Sequence, residues 1–190
     1  MTTPRADVLT PIHKALRRSL FETAIALART DFEAPEETGA AEASVATCFA
    51  YLREHAAHED RHVIPEVAKL DADLANALEI AHPELERASI EIESLFPRLA
   101  PLAGPARTSM GAELCRRFQA FVAMQLQHMD KEERQVLPRL QARFSDPELH
   151  ALSGRIVAAI PPARMAVWGQ LIGPSLNRRE REGMQPRRAA

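Results

Sequence analysis

The sequence predicts an all-α protein: an up-and-down antiparallel four-helix bundle with short additional C-terminal helices. Three observations carry this expectation. Apolar residues recur at helical spacing over four long stretches, and no segment alternates with period two over a useful length. Ala and Leu are abundant, while aromatics make up 5% and Gly only 7 of 190 residues, a balance that favours helix over strand. The connections are short, which makes neighbouring helices antiparallel and leaves no linker for a long crossover.

The first helix opens at "TPIHKALRRSLFE", with Thr10 as cap and Pro11 in the first turn. Ile12, Leu16, Leu20, Ala24 and Leu27 share its apolar stripe. The acids, Pro and Gly of "DFEAPEETGA" read as a loop. A second helix is expected from about Ala41 to Leu70, kinked at Pro65, because proline removes a backbone donor and crowds the preceding turn. "DAD" reverses the chain and supplies an Asp cap. The third helix covers about Leu74–Leu99, with a bend near His82 from Pro83. After the loop "PLAGPART", the fourth runs over about Ser109–Phe144 and carries Pro138. "SDPEL" then starts a shorter helix with Ser145 or Asp146 as cap. "IPPARMAVWGQLIG" and "SLNRREREGM" add one or two more, anchored to the bundle by Trp168, and "QPRRAA" reads as a frayed end. The expected division is a bundle over residues 1–144 and a helical appendix over 145–190.

The bulk properties remove several classes of function. The net charge of −2 advertises no nucleic-acid or anionic-membrane partner. No apolar run reaches the 18 residues of a membrane span, and the N-terminal stretch has no apolar signal core. Cys48 and Cys115 lie in helical stretches outside any CxxC pattern, so they read as small packing residues in a reducing compartment. A cytoplasmic location is expected. No nucleophile elbow, phosphate-binding loop or dinucleotide fingerprint is present.

What remains is a repeat. "HAAHEDRHVIPEV" (55–67) and "HMDKEERQVLPRL" (128–140) share a His, a Glu four residues later, a second acid and an Arg directly after it, then an apolar pair and a Pro. A fainter echo links "IHKALRRSLFE" to "AHPELERASIE", matching His13 with His82. Helices one and two therefore correspond to helices three and four, and the bundle should have an approximate two-fold relation between its halves. Helical spacing alone puts His55, His58, Glu59 and His62 on one stripe. The repeat selects among them, because His58 becomes Lys131 and His62 becomes Gln135, while His55 and Glu59 return as His128 and Glu132. A site across the two-fold would use His13, His55, Glu59, His82, His128 and Glu132. Counting along the helices brings His13, Glu59 and His82 to one level. Helix four overshoots by about a turn. His58 is the rival ligand if the register slips.

Four imidazoles and two carboxylates facing one interior need partners, because a buried unpaired carboxylate costs several kcal/mol. Hydrogen bonding among themselves is one solution, and a pair of metal ions bridged by the two Glu is another. A mixed nitrogen and oxygen set suits iron, then manganese or zinc, and lacks the Cys that structural zinc recruits.

This H…HxxxE…H…HxxxE arrangement, with a Pro beyond each HxxxE and HxxL on helices one and three, resembles the hemerythrin-like (HHE cation-binding) family over roughly residues 8–142. The resemblance implies two iron ions (Fe2+/Fe3+), oxo- or hydroxo-bridged, able to bind dioxygen, nitric oxide or peroxide. It implies His13, His55, Glu59, His82, His128 and Glu132 as ligands. One departure concerns Glu86, which stands four residues after His82 where oxygen-carrying relatives have a second His. Glu86 reads as a further ligand, a base behind the ligands, or the salt-bridge partner of Arg17. An extra carboxylate there favours the ferric state and turns the expectation from oxygen storage toward peroxide, nitric oxide or iron-redox handling.

Other residues read more plainly. Tyr51 is a packed residue, His150 lies on the surface, and Glu54, Asp60 and Glu133 are solvated or paired charges. Three functions follow: a di-iron protein that binds or turns over small oxidants, a metal-dependent module whose C-terminal helices meet a redox or regulatory partner, and a metal-free bundle.

Overall fold

The computed structural model describes residues 5–184, and every regular element among them is helical. In chain order these are α1 (Thr10–Arg29), α2 (Pro35–His62), α3 (Ile64–Ala68), α4 (Ala72–Glu93), α5 (Phe96–Leu99), α6 (Gly104–Lys131), a π-helical turn (Glu132–Val136), α7 (Leu137–Arg143), α8 (Asp146–Ala159), α9 (Pro162–Ser175) and α10 (Arg178–Met184). The expected frayed end, residues 185–190, lies outside the described residues. The four long helices pack as a ring, α1 on α2 and α6, and α4 on α2 and α6.

Local chemistry sets the helix ends, at several places differently from the sequence expectation. Asp7, not Thr10, serves the start of α1: its Oδ1 accepts from the backbone N–H of Leu9 (3.0 Å) and Thr10 (2.8 Å). The stretch read as a loop after α1 is already helical from Pro35, since Pro suits the first turn and Glu36 and Glu37 face the positive end of the helix dipole. Pro65 does more than kink the second helix. It ends α2 at His62 and falls in the first turn of α3, where a missing N–H costs nothing. At the equivalent place in the second half, the chain widens into the π-helical turn before Pro138. Pro83 is accommodated inside α4. Asp71 caps α4 through Leu74 N–H (2.9 Å), and Glu148 accepts from both the N–H and the hydroxyl of Ser145 at the start of α8.

The core falls into two apolar clusters with a polar layer between them. One contains Leu16, Leu20, Phe49, Leu52, Leu85 and Phe118. The other contains Leu9, Val63, Leu78, Val136 and Leu140. His13 lies between Leu9 and Leu16 along α1, and His82 between Leu78 and Leu85 along α4. Burying each large side chain contributes about 1.5–3 kcal/mol, so the polar layer is held by packing above and below it. Trp168 on α9 is buried in the first cluster. It stacks obliquely on Tyr51 (4.8 Å between ring centres) and donates its indole N–H to Glu54 (3.0 Å).

One close approach yields a stability prediction. A Cβ on Gly111 would stand 2.2 Å from the buried ring of Phe32. Gly111→Ala should therefore cost about 1–3 kcal/mol through overpacking. Gly39→Ala, in open helix with nothing within 4 Å, should instead stabilise by about 0.5–1 kcal/mol. Urea unfolding of the two variants checks this; equal midpoints would contradict it.

Candidate metal centre

The polar layer brings six side chains from four helical segments to one point: His13 from α1, His55 and Glu59 from α2, His82 from α4, and His128 and Glu132 at the junction of α6 and the π-helical turn. All six are buried, with exposures from 0% to 7%. Their donor atoms form two groups, His13, His55, Glu59 and Glu132 in one and Glu59, His82, His128 and Glu132 in the other, each with its atoms within 4.8 Å of one another. The two Glu belong to both.

The pairing is nearly two-fold. His13 Nε2 lies 3.2 Å from His55 Nε2, and His82 Nε2 lies 3.0 Å from His128 Nε2. Glu59 sends Oε1 toward the first pair (3.2 Å to His55, 3.7 Å to His13) and Oε2 toward the second (3.7 Å to His82). Glu132 does the reverse, with Oε1 3.1 Å from His128 and Oε2 3.6 Å from His13.

The outer ring nitrogens of His13 and His82 are held as well. His13 Nδ1 is 2.9 Å from Glu133 Oε1, which also accepts from Arg17 at 2.7 Å. His82 Nδ1 is 2.6 Å from Asp60 Oδ1. A carboxylate on Nδ1 fixes the tautomer that leaves Nε2 facing inward with its lone pair free. Asp60 and Glu133, solvated or paired charges on the sequence reading, are both paired, each to an imidazole of another helix. The signal was the second acid that follows Glu59 and Glu132 in both copies of the repeat.

Without metal the cluster balances its charge with protons. Burial pushes His13 down, but hydrogen-bonded Glu133 and neighbouring Glu59 and Glu132 overcome it and raise His13 to about 9. His82 goes the same way, also to about 9, with burial opposed by Glu132, Glu59 and Asp60. Burial would raise Glu59, yet the imidazoles of His55 and His13 hold it well below the usual carboxylate range. Glu133 is likewise opposed by burial and still falls to about 2 beside His13 and Arg17.

Three of the four oxygens of Glu59 and Glu132 are buried with no hydrogen-bond partner. Such atoms cost about 1–3 kcal/mol each unless something positive meets them. Two ligand nitrogens each about 2.1 Å from one ion, at right angles, stand roughly 3.0 Å apart, close to the spacing of each His pair. The residues therefore fit a metal cation at each group.

Glu86 is not among them. One turn beyond His82 on α4, it is exposed at the wall of a cavity that opens beside the cluster, and Arg17 pairs with Glu133 instead. His58 and His62 stand outside both groups, and His150 is exposed. Tyr51 packs against Trp168, with the Arg164 guanidinium 4.9 Å above its ring.

The outer carboxylates give a second prediction. Asp60→Asn and Glu133→Gln should each weaken metal affinity by about 10–100-fold with little change in helix content. Competition with a chromogenic chelator measures this, and wild-type affinity in both variants would count against their orienting role.

The chain matches the family model described as the hemerythrin HHE cation binding domain over residues 5–140. No curated protein and no solved structure matches it. Among the described residues no helix is long and apolar enough to cross a membrane.

Proposed function

The chain belongs to the hemerythrin HHE cation-binding family, and on that premise we propose that it is a non-haem di-iron protein that binds or reacts with dioxygen, peroxide or nitric oxide. In this reading α1, α2, α4 and α6 are an up-and-down four-helix bundle and residues 145–190 are its appendix. His13 and His55 would hold one ion and His82 and His128 the other, with Glu59 and Glu132 available to both.

One observation carries the reading: two buried carboxylates each reach from one His pair to the other, with most of their oxygens unpartnered. A mixed imidazole and carboxylate set without thiolates suits iron, with manganese or zinc as substitutes. Bound iron would supply the redox chemistry and open coordination positions. The protein's own contribution is orientation and exclusion. Asp60 and Glu133 hold two imidazoles in one tautomer, and the apolar layers above and below limit water.

A second reading is favoured by how the C-terminal helices attach. Glu180 pairs with Lys14, next to His13, while Arg164 (2.8 Å) and Trp168 (3.0 Å) hold Glu54, next to His55. Metal occupancy would then be felt by the appendix, and a redox or regulatory partner would read it.

Metal analysis of protein purified without chelator tests the proposal. About two iron ions per chain are expected, with near-ultraviolet absorption that changes on adding peroxide or nitric oxide. Iron bound but inert to both would favour the regulatory reading. No metal uptake after anaerobic iron loading would refute both.

A further inference from the structure

The cavity beside the cluster has a volume of about 200 Å³ and opens between α2 and α4. Its walls are largely apolar, with Leu52, Leu85 and Phe121 among them, and Glu59 and His82 reach its lining. Of the other polar side chains on its walls, Arg53 pairs with Glu93 (3.0 Å) and donates to Ser89 (3.2 Å), whereas Gln125 keeps an atom without a partner. Gln125 on α6 is 5% exposed, and its Oε1 is buried with no hydrogen-bond partner.

Gln125 also breaks the internal repeat. It precedes His128 by three positions, as Leu52 precedes His55. The first half thus keeps an apolar residue where the second half carries an amide, and both face the same cavity. A buried acceptor left open costs stability, and Leu at this position would avoid the cost. Such a group, placed beside a reactive centre, is a handle for a ligand.

The unpartnered atom is the amide oxygen, which accepts a hydrogen bond and cannot donate one; the two N–H of the same amide do donate, and a role for them would appear as lost nitric oxide affinity in the test below. Dioxygen and nitric oxide carry no proton to offer it, whereas hydrogen peroxide carries two. We propose that Gln125 is a specificity residue: its side-chain oxygen accepts a hydrogen bond from hydrogen peroxide entering the cavity toward Glu59 and His82, and so biases the centre toward peroxide over the unprotonated diatomic ligands. The inference rests on the small-oxidant reading above.

The test uses the full chain with Gln125→Met, which keeps the volume and removes the polar atoms. In the metal-free protein this variant should melt a few degrees higher, because it removes a buried acceptor that has no partner. In the iron-loaded protein, with metal content measured first and equal to wild type, the peroxide concentration for half-maximal absorption change should rise about tenfold. The nitric oxide affinity should stay within about twofold. A lower metal-free melting temperature would mark Gln125 as structural and overturn the proposal. So would an unchanged peroxide response, an equal loss for both ligands, or a loss confined to nitric oxide. If the wild-type chain takes up no iron, the small-oxidant reading fails and this proposal falls with it, an outcome that metal content separates from a failure at Gln125.

Discussion

Glu59→Ala combined with Glu132→Ala should leave a folded protein that no longer retains metal. Each carboxylate reaches both imidazole pairs, so the double variant removes the shared ligands of both positions and leaves two imidazoles at each. Loss of an outer hydrogen-bond partner alone typically costs 10–100-fold in affinity, so loss of both spanning carboxylates should cost more than about 100-fold. The helices should survive, since the apolar clusters on either side of the layer are untouched. The matching control is Glu86→Ala, which should keep full metal content because Glu86 is exposed and outside both groups. Metal analysis after desalting, with circular dichroism for helix content, gives the answer. Wild-type iron in the double variant would remove the bridging assignment, and loss of iron in Glu86→Ala would restore Glu86 as a ligand.

The convergence of these six residues was legible in the sequence for a specific reason. A two-fold related site must write its donors twice, so His55 and Glu59 return as His128 and Glu132 while neighbours on the same stripe do not. His13 and His82 followed from the fainter repeat and from counting rise along helices. Three features escaped. Asp60 and Glu133 act across helices, on His82 and His13, and spacing along one helix does not reveal a partner on another. The ends of α2 depend on where proline's missing N–H is harmless, which a Pro at position 35 or 65 does not announce in isolation. The burial of Gln125 similarly depends on how α6 is rotated against α2 and α4, a quantity that no period in the chain encodes.

Stripping metal should lower stability sharply and give it an unusual dependence on pH. Cations that bind only the folded state stabilise it by about 4 kcal/mol per site at a thousandfold excess over the dissociation constant, which for a chain of this size corresponds to roughly 15–30 °C for two sites. In the metal-free protein, protons on His13 and His82 take over part of that role. Both titrate at about 9 in the fold against 6.5 outside it. A raised value means that the folded state holds these protons more tightly, so the stability they contribute is complete below about pH 6.5 and is lost as pH rises through about 9. Glu133 works in the opposite sense, at about 2 against 4.5, so its contribution is complete above about pH 4.5 and is lost on acidification toward 2; Glu59 is depressed as well and acts in the same direction. Metal-free protein should therefore be most stable between about pH 4.5 and 6.5 and should lose stability on the order of a few kcal/mol by pH 9. Metal-loaded protein should not show that alkaline loss, because the cations replace the protons. Calorimetric melting of both forms at pH 5.5, 7 and 9 distinguishes the cases. A metal-free midpoint that rises toward pH 9, or that equals the loaded midpoint throughout, would mean that the buried carboxylates find their compensation elsewhere than in these imidazoles and the ions they would hold.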